Sequence, residues 1–278
     1  IPFNDQSQYY YDALTVPGWK DWLASFNANQ TNLSIHGRTH PPFAILIHHL
    51  FLFPFKFNVN FLAGGLSLLS VSTLPMIYLI LRLFKGSERK QKLLLLLFAV
   101  IPAVNIYSVV SLDGVILATS TMFLLGLVVL IKKPGYSLIG ILLMIVGFSL
   151  TNLLTFSGLF LVAVGGLLGL IELVHNKKPL VLIGTGLAIL FFGLIIYVLL
   201  TGFQYDHIQA FRLAAKIENP GGFRLFSDPI NYLLTRFENI SEIAFFISFP
   251  FSETILPNFL LATKSIANAP NFVAKILS

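Results

Sequence analysis

Runs of roughly 20 apolar residues recur along most of this chain, and one such run is what a helix needs to cross the hydrocarbon core of a bilayer. The hydrophobic pattern predicts spans at about 58–83, 92–111, 114–131, 136–151, 153–174, 179–202 and 241–262. The expected fold class is all-α: a polytopic transmembrane helix bundle with external interfacial helices. Composition agrees, with 56% hydrophobic and 11% charged residues, where a soluble domain carries about 25% charged. The net charge of +6 does not point to nucleic acid. Most of it sits in short loops, where Lys and Arg set membrane orientation. The chain has no cysteine, which excludes disulfides and thiolate metal sites.

Charge then fixes a topology. Arg82, Lys85, Arg89, Lys90 and Lys92 form one cluster, Lys132 and Lys133 a second, Lys177 and Lys178 a third. All three fall on the cytoplasmic side only if residue 57 starts outside. The apolar piece 41–56 reaches only about 22–24 Å as a helix, short of a core about 30 Å thick, so it is expected to lie in the interface. The expected organisation is an external segment 1–56 with interfacial helices, a bundle 57–202, an external loop 203–240, and a further span with a C-terminal segment over 241–278. The chain opens IPFNDQ, with neither methionine nor a first span, so a preceding segment is expected.

The stretch GRTHPPFAILIHHL, Gly37 to Leu50, sets cations against this oily helix. Proline disfavours helix in the residue before it and suits the first helical turn, which places His40 near the N-cap. A helix start offers unpaired N–H groups to an anion, and Arg38 and His36 add positive charge. A phosphate with a lipid tail fits that pairing of charge and grease. The alternative is that Arg and His here only snorkel to the interface. His36 and His40 also stand four apart, a metal-ligand spacing if one helix carries both; a zinc site needs a further ligand, for which His48 and His49 are the candidates. Among the acids, Asp5 and Asp12 lie in the first external segment. Asp113 opens an apolar run, where it is either functional or a helix cap. Asn152 is expected to be a turn residue.

Taken in order, these segments resemble the membrane-embedded GT-C glycosyltransferases, in the branch of protein O-mannosyltransferases and aminoarabinose transferases that use polyprenyl-phosphate sugars. The carriers are Asp5 with Tyr9 (DQSQY), His40-Pro41-Pro42, the span end YLILRLFKG from Tyr78 to Gly86, and NIYSVVSLDGVI with Asp113. The similarity covers roughly residues 1–175. It implies further spans, one before Ile1, and often a soluble domain after Ser278. It implies that Asp5 is the general base on the acceptor, that His40 lies close to the lipid phosphate, and that Asp113 is a second acid shaping the site, with Tyr9 beside the substrate. The sequence departs from the pattern at Gln6, at Phe43, and at Asn152-Leu153-Leu154.

The chemistry so implied is inverting transfer of a sugar from a polyprenyl-phosphate donor to an acceptor hydroxyl at the outer face, with His36, Arg38, Arg212 and Arg224 as further phosphate or substrate contacts. A divalent metal held by Asp5 and Asp113 is compatible with this chemistry, although the sequence does not indicate one. The expected partners are the lipid bilayer, the donor and an acceptor of open identity. The expected place is a prokaryotic plasma membrane with the site outward. The rivals are a lipid or solute transporter, which needs charge at mid-span, and a non-catalytic scaffold. The discriminating geometry is whether Asp5, His40 and Asp113 line one cavity beside a lipid-sized groove.

Overall fold

The computed structural model describes residues 9–100, 111–222 and 224–246, all helix, turn or loop and without strand among them. Four short helices come first: α1 (Tyr9–Leu14), α2 (Trp19–Asn29), α3 (Ile35–Thr39) and α4 (Pro42–Leu52). The bundle follows with α5 (Val59–Val71), α6 (Thr73–Leu83), α7 (Glu88–Val100), α8 (Leu112–Lys132), α9 (Ser137–Leu154), α10 (Phe160–Asn176) and α11 (Leu180–Phe203). Then come α12 (His207–Glu218), α13 (Arg224–Ser227) and α14 (Pro229–Phe246).

Among the described residues, five helices are long and apolar enough to cross a membrane: Val59–Leu83, which is α5 and α6 together, then Leu112–Lys132, Pro134–Leu154, Phe156–Asn176 and Leu180–Phe203. The chain is thus an all-α, multi-pass membrane protein. The first span is interrupted at Ser72. Pro75, lacking an N–H, cannot donate to the carbonyl four residues back, which accounts for a break at that point. Of the other two expected spans, 92–111 is described to Val100 and 241–262 to Phe246; the rest of each lies outside the described residues. The expected start at 241 falls inside α14. Asn152 is not a turn residue either. It is buried in the last turn of α9, donating from Nδ2 to the Phe148 carbonyl at 2.9 Å, and the chain turns instead at Thr155.

In lipid, neighbouring helices gain little from apolar burial, so close backbone approach and shape decide which of them pair. The α8–α9 pair is built this way. A Cβ at Gly126 would sit 2.5 Å from the Gly140 carbonyl oxygen, so only glycine lets the two backbones meet there. Thr151 Oγ1 donates to Thr119 Oγ1 at 2.9 Å across the same contact. Phe123, Phe148, Leu127, Leu130 and Met144 fill the core around it, with Val181, Ala188 and Phe192 from α11.

The ends of α8 identify the two ends of the bundle. Lys132 lies over the Phe84 ring at 5.1 Å, so the first two basic clusters share one end. Asp113, about 30 Å away along the helix, acts electrostatically on Tyr9 and His40. The short helices α1 to α4 therefore sit at the end opposite the cations. A second core joins them to the bundle: Ala13, Trp22, Leu23, Phe26, Ile45 and Leu52 pack with Leu66, Leu112, Val115, Leu154 and Leu199.

Candidate active site

The double proline starts α4 where the sequence places it, with His40 next to the cap. His40 is not the N-cap of α4; it closes α3 in extended backbone (φ −122°, ψ 160°), and Pro41 caps α4 with Pro42 in its first turn. The reason is steric, since each proline excludes helix from the residue before it. One consequence weakens the expected helix-start contribution. Pro41 and Pro42 carry no N–H, and the Ala44 N–H goes to the Pro41 carbonyl at 3.0 Å. Phe43 is left as the first available donor, so positive charge at this point comes from side chains rather than from a row of amides.

Tyr9 is the centre of the site. Its ring lies 5.7 Å from that of His36, 5.5 Å from His40 edge-on, and 5.1 Å from His48. The Asp113 carboxylate is near enough to act on both Tyr9 and His40. Burial, helped by that carboxylate, raises the Tyr9 phenol, which stays a protonated donor. Burial lowers the His40 imidazole below its ordinary value; the His36 carbonyl and Asp113 oppose this and His36 adds to it. His40 Nδ1–H donates to the His36 carbonyl at 3.1 Å, which leaves Nε2 as the ring nitrogen that gains or loses a proton. Asp113 itself is exposed at the start of α8, where its N–H is capped by Ser111 Oγ at 3.1 Å.

Two features missed in the sequence hold this segment in place. Asp12 accepts from the Ser34 hydroxyl at 2.5 Å, and Ser34 Oγ accepts from the Gly37 N–H at 3.1 Å, so an acid on α1 and a serine together cap α3. Burial raises the Asp12 carboxyl, against the lowering effect of the Ser34 hydroxyl and N–H. Gly37 belongs to the same device, because a Cβ there would press on Asp12 Oδ2. The second is a pair of imidazoles on α4. His49 Nδ1 donates to the Ala13 carbonyl at 2.9 Å and fastens α1 to α4, while buried His48 donates to the Ala44 carbonyl at 2.7 Å.

Beside the site is an apolar cavity of about 750 Å³. Phe43, Leu46, Ile47, Leu50 and Phe53 of α4 form one wall; Val115 and Thr119 of α8 and Leu150, Leu153 and Leu154 of α9 form the other. Pro17, Gly18 and Trp19 close one side. The cavity volume falls in the range of sites for ligands of about 300–1,000 Å³.

The structure therefore brings Tyr9, His36, His40 and Asp113 together, with Arg38 on the same short helix. The Arg38 Nε is buried without a hydrogen-bond partner among the described residues, an unusual state for a guanidinium donor. Arg212 is exposed on α12 and has no contact with this cluster recorded among the described residues. Asp5 lies outside the described residues, as does the side chain of Arg224. His36 and His40 do not share one helix, their rings stand 6.4 Å apart, and no group of three metal-binding side chains occurs among the described residues. No family model, curated protein or solved structure matches this chain.

Proposed function

We propose that this protein is a GT-C-like membrane glycosyltransferase that moves a sugar from a polyprenyl-phosphate donor to an acceptor hydroxyl at the outer membrane face. The observation that carries the reading is the junction of two unlike surfaces. A cluster of Tyr9, His36, His40 and Asp113, with Arg38 on the helix that carries His36, stands at the end of the bundle opposite Lys132 and Lys133, and α4 runs from it along an apolar cavity of lipid-chain calibre. By the positive-inside rule that end faces outward. A lipid phosphate fits both halves at once, its headgroup on the cations and its chain along Phe43, Ile47 and Leu50.

In the proposed reaction the acceptor oxygen forms a bond to the anomeric carbon as the bond from that carbon to the phosphate oxygen breaks. The electron pair leaves with the phosphate, and inversion follows from attack on the opposite face. The acceptor proton passes to a carboxylate. Asp5 has that role in this reading. Four residues of chain tether it to Tyr9, at most about 14 Å. Asp113 is the second acid and holds the electrostatics around Tyr9 and His40. Charge grows on the leaving phosphate, so Arg38 and a protonated His40 stabilise it more in the transition state than before it.

The test supplies membranes containing the full-length protein with a panel of radiolabelled polyprenyl-phosphate sugars. Transfer of label from at least one donor is expected, and its loss in Asp5→Asn. Transfer undiminished in Asp5→Asn removes Asp5 from the role of base, and no transfer from any donor overturns the reading.

A further inference from the structure

The segment that carries Arg38 and His40 is tied to a part of the chain more than 160 residues away. Gln30, at the end of α2, is completely buried. Its side-chain Nε2 donates twice: to the Arg38 carbonyl at 2.9 Å and to the Ala210 carbonyl of α12 at 3.0 Å. One amide thus bridges α3 and α12. A fixed cradle surrounds the bridge. Asn27 pairs with the Asp206 backbone in both directions, accepting its N–H at 2.9 Å and donating to its carbonyl at 2.8 Å. Asp206 in turn caps α12 by accepting from the Ile208 and Gln209 N–H groups at 2.9 Å. Tyr205 and Ala210 are fully buried, and Phe26 packs edge-on against Tyr205 at 5.7 Å.

The placement is selective. A helix inserted only to cover apolar surface needs no paired amides. Here the polar contacts are made to the backbone of α12 and to that of the segment carrying Arg38 and His40, where a shift of about 1 Å in a supporting residue is enough to spoil reactive geometry. The Gln30 Nε2 has two hydrogens and both are spent on the bridge, so the side chain reads the spacing between α3 and α12 directly.

We propose that Gln30 is a positioning residue: its buried amide couples the Arg38–His40 segment to α12, so that the seating of α12 on the outer face sets where those two side chains meet the donor phosphate. The role at the phosphate rests on the glycosyltransferase reading; the coupling does not. It is tested on the full chain in nanodiscs by hydrogen exchange, with undecaprenyl phosphate as the binding probe. Asn27→Ala releases α12 without touching Arg38. It is expected to speed exchange in residues 207–218 and also in 35–39, by about 5-fold or more, leaving 112–154 unchanged. Gln30→Leu is expected to do the same. In both, affinity for the probe falls about 3- to 10-fold.

Exchange in 35–39 that stays at the wild-type rate in Asn27→Ala overturns the coupling, and that variant decides the matter if Gln30→Leu fails to fold. Faster exchange in 35–39 with unchanged probe affinity overturns the positioning role. If the wild-type protein itself does not bind undecaprenyl phosphate, the lipid-phosphate reading falls, and the exchange rates still decide the coupling.

Discussion

Acid should open α12 from the bundle, and His207 is the reason. Its imidazole is 7% exposed, accepts or donates at Nδ1 with the Tyr205 hydroxyl at 3.0 Å, and packs against Phe156 and Phe192. Burial lowers its pKa from 6.5 to about 4, outweighing the raising effect of the Asp206 carboxylate. In the opened segment the group returns to about 6.5. Between those values the open form holds more protons than the closed one, so stability is lost as pH falls from about 6.5 to about 4. At about 1.36 kcal/mol per pKa unit, the full window is worth about 3 kcal/mol. His40, also lowered by burial, acts in the same direction. Between pH 7 and 4.5 the open population of residues 207–218 is expected to rise roughly 50- to 100-fold. Hydrogen exchange corrected for the intrinsic rate at each pH measures it. His207→Phe keeps an aromatic ring in the pocket and is expected to abolish most of the acid response. It leaves Tyr205 short of a hydrogen bond, an offset of about 1 kcal/mol that does not depend on pH. Equal acid opening in His207→Phe, or none in the wild type, refutes the reasoning.

Three further outcomes follow from the packing and the site. Gly147→Val places side-chain atoms against the backbone of Phe123 and Thr119 and is expected to destabilise the α8–α9 pair by about 1–3 kcal/mol, read by detergent-titrated unfolding in bicelles. Ile47→Trp fills the apolar cavity from α4 and is expected to weaken undecaprenyl phosphate binding about 10-fold while leaving helix content unchanged, measured by native mass spectrometry and circular dichroism. Asp113→Asn removes the charge acting on Tyr9 and His40; sugar transfer is expected to fall about 10-fold as the protonated form of His40 loses that support, with lipid phosphate binding within a few-fold of wild type.

Why the bundle was legible and the site only partly so has a physical explanation. A span must satisfy its backbone internally and present apolar side chains for some 20 residues, so length and hydropathy alone locate it. The expected ranges near 58–83, 114–131 and 179–202 agree with the helices found to within a few residues. The turn expected at Asn152 failed because a buried asparagine can satisfy its amide within the helix, as it does on the Phe148 carbonyl. At the site, His40 beside two prolines was visible as a junction of charge and apolar helix, and Asp113 as an acid at a helix start. Asp12, Gln30 and His49 were not visible in their roles. Asp12 pairs with the hydroxyl and N–H of Ser34 at the start of another helix, Gln30 with the Ala210 and Arg38 carbonyls and His49 with the Ala13 carbonyl, and partners brought together only by the fold leave no mark in a sequence. The apolar cavity was hidden for a related reason. Leu46, Ile47, Leu153 and Val115 read as ordinary lipid-facing residues until the fold sets α4 across α8 and α9.

In the proposed complex α4 seats a lipid chain while the cluster around Tyr9 and His40 holds its phosphate. Photolabelling of the full-length protein in membranes with a diazirine-bearing polyprenyl phosphate tests it most directly. Crosslinks are expected on Leu46, Ile47 or Leu50 and on the facing residues Leu150 and Leu153, with labelling reduced at least several-fold in a His40→Ala, Arg38→Ala double variant. Crosslinks confined to the lipid-facing sides of α10 and α11, or undiminished labelling in the double variant, contradict it.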